Sequence, residues 1–319
     1  MPSSKKERSK KKKQAAAASP KPAASPGIAA AATRIEAANA VPNLSIGLEA
    51  FLAIDLPAAK IEGGDAPIDT GSTAAASSAS AAPADPAPDP VHLTIRAPDT
   101  LGDGDAQRMY DLLKSNMHDM YLEAGWGWDE GEKWREMRHR HARFLVASGG
   151  AGAESDVSEV VETAKGGLGV GSRVEEGARG RGGSGGGDGQ RLAGYCHFRF
   201  AWDQDENDDG EGVGGTDDVL YVYELQVAPW AKRRGLGRRM MQALELLANR
   251  HGMSKVMLTV FKENRQAMSF YTKKMKYGVD KDSPSNWDQP DAVYEILSKP
   301  TRQGAARAKE ARQTATLLG

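Results

Sequence analysis

The sequence predicts a mixed α/β layer, one domain in which a central sheet is flanked by helices. Three observations carry that expectation. Apolar residues switch along the chain between a period near two and a period near 3.6, in the order strand, two helices, three strands, helix, strand, helix, strand. Of the aromatic residues (Trp 6, Tyr 8, Phe 6), all but Phe51 lie between Tyr110 and Tyr294, so the core is smaller than the 319-residue chain. The breakers, Gly 36 and Pro 16, gather outside the periodic segments, in a tail before residue 90 and a run at 148–191.

Residues 1–90 are rich in Ala, Ser and Pro and predict a disordered tail. Their one sizeable apolar stretch, 44–56, reads as a short helix docked on the domain if it is ordered at all. Residues 5–13 hold Lys5, Lys6, Arg8, Lys10, Lys11, Lys12 and Lys13 against Glu7 alone. Such a cluster is a solvated tail, a nuclear import signal, or a contact with nucleic acid or the ribosome.

From residue 91 the pattern changes. Residues 92–96 alternate as a short strand, and 105–123 place Met109, Leu112, Leu113, Met117, Met120 and Tyr121 at helical spacing. A charged helix at 130–141 and a strand at 143–147 follow. The Gly-rich stretch 148–191, without an aromatic, predicts a disordered insertion between strands. The next strand is 192–200. An acidic insertion at 201–218 has eight acids and no base in its span 203–218, and is either a solvated loop or an electrostatic lure for a basic peptide. It is not an EF-hand loop, because the sixth position, which needs Gly, is Asp208. Residues 219–227 predict a long strand. Residues 238–251 form an amphipathic helix stopped by Gly252. A buried strand at 255–261, a short helix at 265–275 and a last strand at 292–297 complete the domain, leaving 301–319 as a tail.

Several classes are excluded. A net charge of −1 argues against a uniformly basic or acidic protein, and no apolar run approaches the roughly 20 residues that span a bilayer. Cys196, the single cysteine, leaves no intramolecular disulfide and no thiolate zinc site, as in an intracellular chain, and no secretory apolar segment opens the sequence.

The segment that carries chemistry is 225–238, Leu-Gln-Val-Ala-Pro-Trp-Ala-Lys-Arg-Arg-Gly-Leu-Gly-Arg, a strand running through a Gly-containing turn into a helix. Small residues let the backbone approach an anion, and free N–H groups at the helix start point at it. Arg233, Arg234 and Arg238 add positive charge, so the expected ligand is a pyrophosphate. Neither the Gly-Lys-Ser/Thr of a P-loop nor the three-glycine dinucleotide fingerprint is present.

That turn, with Asn264, Ala267 and Phe270-Tyr271 beyond it, resembles the GCN5-related N-acetyltransferases (GNAT). The resemblance implies the acyl-CoA N-acyltransferase fold, with acetyl-CoA as co-substrate and no metal. Its pyrophosphate would lie on Lys232, Arg233, Arg234, Gly235, Leu236, Gly237 and Arg238, with the backbone of Leu225, Gln226 and Val227 beside the acyl arm. Asn264 would contact the cofactor. Lys232 stands where the family usually has Arg or Gln, keeping the charge and losing the planar fork.

Further segments narrow the resemblance to the histone-directed N-terminal acetyltransferases of that superfamily. They are Asn116-Met117 with Met120-Tyr121, Gly125-Trp126-Gly127-Trp128, His197-Phe198-Arg199-Phe200, Tyr221 with Tyr223-Glu224, and Tyr294-Glu295. The implied substrates are histones 4 and 2A beginning Ser-Gly-Arg-Gly, the implied locations nucleus and cytoplasm, and the implied state a monomer without membrane contact.

Glu224 is the candidate base, since an acid between aromatic neighbours in a half-buried strand has a raised pKa. Tyr223 and Glu224 point to opposite faces of an ideal strand, so both serve one site only where the strand is bulged or splayed. Backbone N–H groups at Gln226 and Val227 would polarise the thioester carbonyl. Tyr223 or Tyr271 would protonate the leaving thiolate. By resemblance Tyr121, Trp126, Tyr221, Tyr223, Thr259 and Tyr294 line the peptide entrance. The family's peptide-holding acid after His197-Phe198-Arg199-Phe200 is Ala201 here, and Asp203 is the candidate replacement. Other readings are an acetyltransferase for lysine or a small amine, and a catalytically silent acyl-CoA-binding chromatin protein.

Overall fold

The computed structural model describes residues 26–45, 48, 52–57, 89–149, 191–203, 217–287, 289 and 291–318. The lysine cluster at 5–13, the Gly-rich run 150–190 and the acidic run 204–216 lie outside them. The elements are α1 (Pro26–Asn39), β1 (Ala53–Leu56), β2 (Asp89–Arg96), α2 (Asp103–Glu123), α3 (Glu130–Met137), β3 (Arg143–Gly149), β4 (Arg191–Trp202), β5 (Asp218–Val227), α4 (Leu236–Arg250), β6 (Lys255–Phe261), α5 (Arg265–Ser269), β7 (Gly278–Val279), β8 (Tyr294–Pro300) and α6 (Arg302–Leu318).

The strands form one sheet in the order β1-β2-β3-β4-β5-β6-β8-β7. Only the β5–β6 pair is parallel; every other neighbouring pair is antiparallel. The mixed α/β expectation therefore holds. The parallel pair is joined by α4, whose apolar stripe of Met240, Met241, Leu244 and Leu247 packs on Leu220, Val222 and Leu258. Burying a Leu or Met side chain of this kind contributes about 1.5–3 kcal/mol relative to exposure. A second apolar layer joins α2, through Met109, Tyr110 and Leu113, to Phe144, Val146 and Tyr195. α4 stops at Gly252, which holds φ 73° as a left-handed helix end requires.

Four readings are corrected. Residues 26–39 form α1 where the composition predicts disorder. Its buried contacts are Ala31, Ile35 and Ala38, small groups that raise little apolar signal although Ala is the best helix former. Arg34 of α1 donates to both carboxylate oxygens of Asp218, at 2.8 and 3.1 Å, and Asn39 donates to the Phe200 carbonyl. Of the stretch 44–56, read as a docked helix, Leu52 is helical and Leu44 and Leu48 are buried, but residues 53–56 form strand β1, paired with β2; residues 46, 47 and 49–51 lie outside the described residues. The C-terminal tail is helix α6, which lies so close to Ser254 that a Cβ at Gly304 would meet its carbonyl oxygen at 1.9 Å. The helix expected at 265–275 is the short α5 followed by a π-helical turn at 270–274. Smaller shifts put Ser148 and Gly149 in β3, Arg191 and residues 201–202 in β4, and the end of α3 at Met137 rather than His141.

Candidate active site

Two irregularities in β5 create the site. The β4–β5 register shifts between His197, opposite Glu224, and Phe198, opposite Val222, which leaves Tyr223 as the extra residue of a bulge. This is the distortion that Tyr223 and Glu224 need to serve one site. The parallel β5–β6 pairing ends at Val222 and Leu258, while β6 stays paired with β8 up to Phe261. Beyond Val222 the backbone of residues 223–227 is thus unpaired toward β6, leaving alternate N–H and C=O groups of Leu225, Gln226 and Val227 to an extended ligand.

Glu224 is buried, and burial pushes its carboxyl above the usual range, although Lys133 and Gln226 pull the other way. Gln226 Nε2 donates to Glu224 Oε2 at 2.8 Å, Asn116 Nδ2 donates to Gln226 Oε1 at 3.0 Å, and Lys232 Nζ donates to Asn116 Oδ1 at 3.0 Å. Every donor in this chain points toward the carboxylate, so it runs from a cation at the turn to an anion in the interior. On the other side Lys133 Nζ lies 3.7 Å from Glu224 Oε1. Tyr223 stacks on His197 at 4.9 Å, lies 5.0 Å from the Tyr221 ring, and has the Arg199 guanidinium over its own ring at 4.4 Å. Tyr271 is buried, and burial followed by Cys196 and Glu224 raises its phenol, keeping it protonated. Tyr271 is thus a proton-bearing group near enough to Glu224 to feel its charge, and Tyr223 adjoins Glu224 on the bulge.

Of the residues expected at a peptide entrance, Tyr121, Trp126 and Tyr294 come together. Trp126 is 6.0 Å from Tyr121 and 5.3 Å from Tyr294 between ring centroids, and Phe261 closes the group at 4.8 Å from Trp126 and 5.2 Å from Tyr121. All four contacts are edge-to-face, the arrangement ring quadrupoles prefer. Trp126 remains 39% exposed, so the cluster has an open side. The Tyr221 hydroxyl and Thr259 Oγ1 are 2.5 Å apart. Asp203 is placed differently: its buried carboxylate is 3.4 Å from Lys281 and 3.7 Å from Lys255 and accepts from the Asp217 N–H. That closes the neck of the acidic stretch and takes up the acid offered as a peptide ligand.

In the turn, Arg233 at φ 62° and Gly235 at φ 89° hold left-handed conformations, and Gly235 precedes α4 with no side-chain cap. The first N–H groups of α4, at Leu236, Gly237 and Arg238, therefore lack capping side chains, and Lys232, Arg233 and Arg238 are exposed beside them. Gly237 packs toward Phe270, Leu225 and Val227. This is a fit for a pyrophosphate at Lys232, Arg233 and Arg238. Arg234 is the exception: it is buried and donates to the carbonyls of Leu56 and Pro57, anchoring β1. Asn264 Oδ1 accepts from the Ala267 N–H at 3.0 Å, capping α5.

Lys133, Glu136 and Phe261 escaped the sequence reading as site residues, and Asn116 appeared there without a role. Lys133 and Glu136 sit in a helix so charged that nothing marks the two that turn inward. Phe261 reads as one more apolar residue in a buried strand.

Residues 170–277, which contain β4, β5, the turn, α4 and β6, match the model of the acetyltransferase (GNAT) family. Similar solved structures include a GNAT-family acetyltransferase of Listeria monocytogenes, with 14% identity over 65% of this chain and 94% of that one and a TM-score of 0.37. Arabidopsis thaliana NAA60 in complex with a bisubstrate analogue shows 12% identity over 66% and 99% of the two chains, TM-score 0.38. PaiA N-acetyltransferase of Thermoplasma acidophilum in complex with coenzyme A shows 14% over 65% and 98%, TM-score 0.34. The segment that builds the strand, turn and helix of the site is thus the one that resembles the GNAT acetyltransferases, a family whose acyl donor is acetyl-CoA.

Proposed function

We propose that the chain is a GNAT-type acetyltransferase using acetyl-CoA and that it acts on the α-amino group of protein N-termini, with histones 4 and 2A beginning Ser-Gly-Arg-Gly as substrates, as its resemblance to N-alpha-acetyltransferase 40 (N-terminal acetyltransferase D) implies. The observation that carries the reading is the aromatic group of Tyr121, Trp126, Phe261 and Tyr294, linked to the buried Glu224 through Lys133, which donates to the Tyr121 hydroxyl and pairs with the carboxylate at 3.7 Å. A half-open aromatic mouth suits an extended peptide end, and a buried carboxylate suits removal of a proton from it.

Acetyl-CoA supplies an acetyl group activated as a thioester. Because a free α-amine has a pKa of about 7.7–8.0, much of it must lose a proton before attack. Glu224 takes that proton, directly or through a water, and the neutral amine then forms its bond to the carbonyl carbon as the carbon–sulfur bond breaks, the second proton of the nitrogen passing to solvent. Backbone N–H groups at Gln226 and Val227 stabilise the developing oxyanion, and Tyr223 or Tyr271 returns a proton to the departing sulfur. Lys232, Arg233 and Arg238 hold the pyrophosphate. Monomeric action in nucleus and cytoplasm, with the lysine-rich N-terminus touching the import machinery, nucleic acid or the ribosome, belongs to the same reading.

The test is incubation with acetyl-CoA and a peptide that begins Ser-Gly-Arg-Gly and carries an internal lysine, alongside the same peptide with a blocked α-amine. One acetyl group is expected on the first and none on the second. Transfer to both peptides alike would instead favour a lysine acetyltransferase, and binding of CoA without transfer to either would favour a silent binding protein.

A further inference from the structure

Lys133 belongs to α3, an element to which the proposed chemistry assigns nothing, yet its side chain is only 11% exposed. An ammonium has three protons and no acceptor, and three partners surround this one: the Tyr121 hydroxyl at 2.9 Å, Glu136 Oε2 at 3.0 Å and Glu224 Oε1 at 3.7 Å. The same ammonium lies 4.7 Å from the Tyr121 ring centroid. An isolated buried lysine tends to lose its proton; here burial acts in that direction, but Glu224, Tyr121 and Glu136 reverse it and hold the charge.

We propose that Lys133 is a positioning residue whose ammonium, clamped by Tyr121 and Glu136, keeps the buried Glu224 in its carboxylate form. The proposal rests on the reading of Glu224 as the base. The groups that face Glu224 come from five parts of the fold. From α2, Tyr121 is neutral because burial raises its phenol. From β4, Tyr195 is likewise raised, and His197 is held neutral by burial and by the cations near it. From the turn after α5, Tyr271 is raised and neutral. Within β5, Gln226 donates one hydrogen bond and Tyr223 lies on the bulge. α3 supplies the charges, Lys133 favouring ionised Glu224 and Glu136 opposing it. The next guanidinium, Arg199, donates to the Glu136 carbonyl and lies over Tyr223. Lys133 thus divides its charge between two carboxylates, and removing either partner moves Glu224 in opposite directions.

The experiment titrates the glutamate carboxyl carbons of the full-length protein by 13C NMR, with Glu224→Gln used to assign the Glu224 signal, and in parallel records kcat/KM against pH for acetyl transfer. Lys133→Met is expected to raise the Glu224 midpoint by about one pH unit or more, and Glu136→Gln to lower it. In the pH profile, Lys133→Met loses about tenfold on the acidic limb and returns to within about threefold of the parent at high pH. Lys133→Arg restores the parent profile, and the KM for acetyl-CoA stays put. An unchanged midpoint, or a loss equal at every pH, overturns the proposal. Should Lys133→Met not fold, the downward shift in Glu136→Gln carries the test, and its absence overturns the proposal too. The NMR midpoint is read without turnover, so failure of Glu224 as base, seen as retained activity in Glu224→Gln, is told apart from failure of Lys133 to hold it.

Discussion

Glu224→Gln separates activity from stability because the structure gives the two opposite signs. The substitution keeps the side-chain shape, and its new carbonyl oxygen accepts the bond that Gln226 Nε2 now gives at 2.8 Å. Lys133 retains Glu136 and Tyr121 as partners. What goes is proton acceptance. General-base removal costs about 10²–10⁴ in rate, equivalent to about 3–5 kcal/mol in the activation barrier. Stability moves the other way. Glu224 is raised above its ordinary 4.5 by burial, so as pH climbs from 4.5 toward the folded value the unfolded chain releases a proton that the folded one retains. The parent therefore loses stability through that window, and the loss persists above it. Glu224→Gln abolishes this and melts no lower than the parent at pH 7. Initial rates of thiol release with acetyl-CoA and a Ser-Gly-Arg-Gly peptide, together with thermal melts from pH 4 to 8, read both effects. Transfer within about threefold of the parent, or a variant that melts well below it at neutral pH, would refute the reasoning.

Other outcomes follow from the same geometry. Arg238→Ala should raise the KM for acetyl-CoA with little change in melting, whereas Arg234→Ala should lower melting by loosening β1 and leave that KM alone; steady-state kinetics and melts of both variants check the contrast, and the reverse pattern would place Arg234 on the cofactor. Trp126→Ala should raise the peptide KM several-fold and spare the acetyl-CoA KM, because it removes one wall of the aromatic group. Gly304→Ala forces a Cβ to within 1.9 Å of the Ser254 carbonyl, so α6 must move at a cost of about 1–3 kcal/mol; an unchanged denaturation midpoint would contradict the packing.

Legibility in the sequence followed the strength of the apolar signal. β6 has the predicted bounds, and α4 was plain because Met240, Met241, Leu244 and Leu247 recur at helical spacing. α1 was hidden because its buried face is mostly alanine, and β1 because four residues, Ala53–Leu56, are too few to show a period. α6 is polar on most of its surface, and its contact runs through backbone at Gly304 and through Arg307, which donates to the Gly252 carbonyl. At the site, Tyr121 on α2, Trp126 in the loop after it and Tyr294 on β8 meet although well over a hundred residues separate the first from the last. In the turn, three arginine and lysine side chains in succession gave no hint of which one faces inward, since that depends on Arg233 adopting φ 62° and turning Arg234 back onto Leu56 and Pro57. Lys133 depends likewise on how α3 packs, which no local pattern encodes.

The function turns on which amine accepts the acetyl group. The most direct measurement is fragment-ion mapping of one histone-tail peptide that carries both a free N-terminal Ser-Gly-Arg-Gly and internal lysines, after limited turnover with acetyl-CoA. Acetyl is expected on the α-nitrogen of the first residue, with the lysines unmodified; acetyl on lysine with a free N-terminus would overturn the assignment.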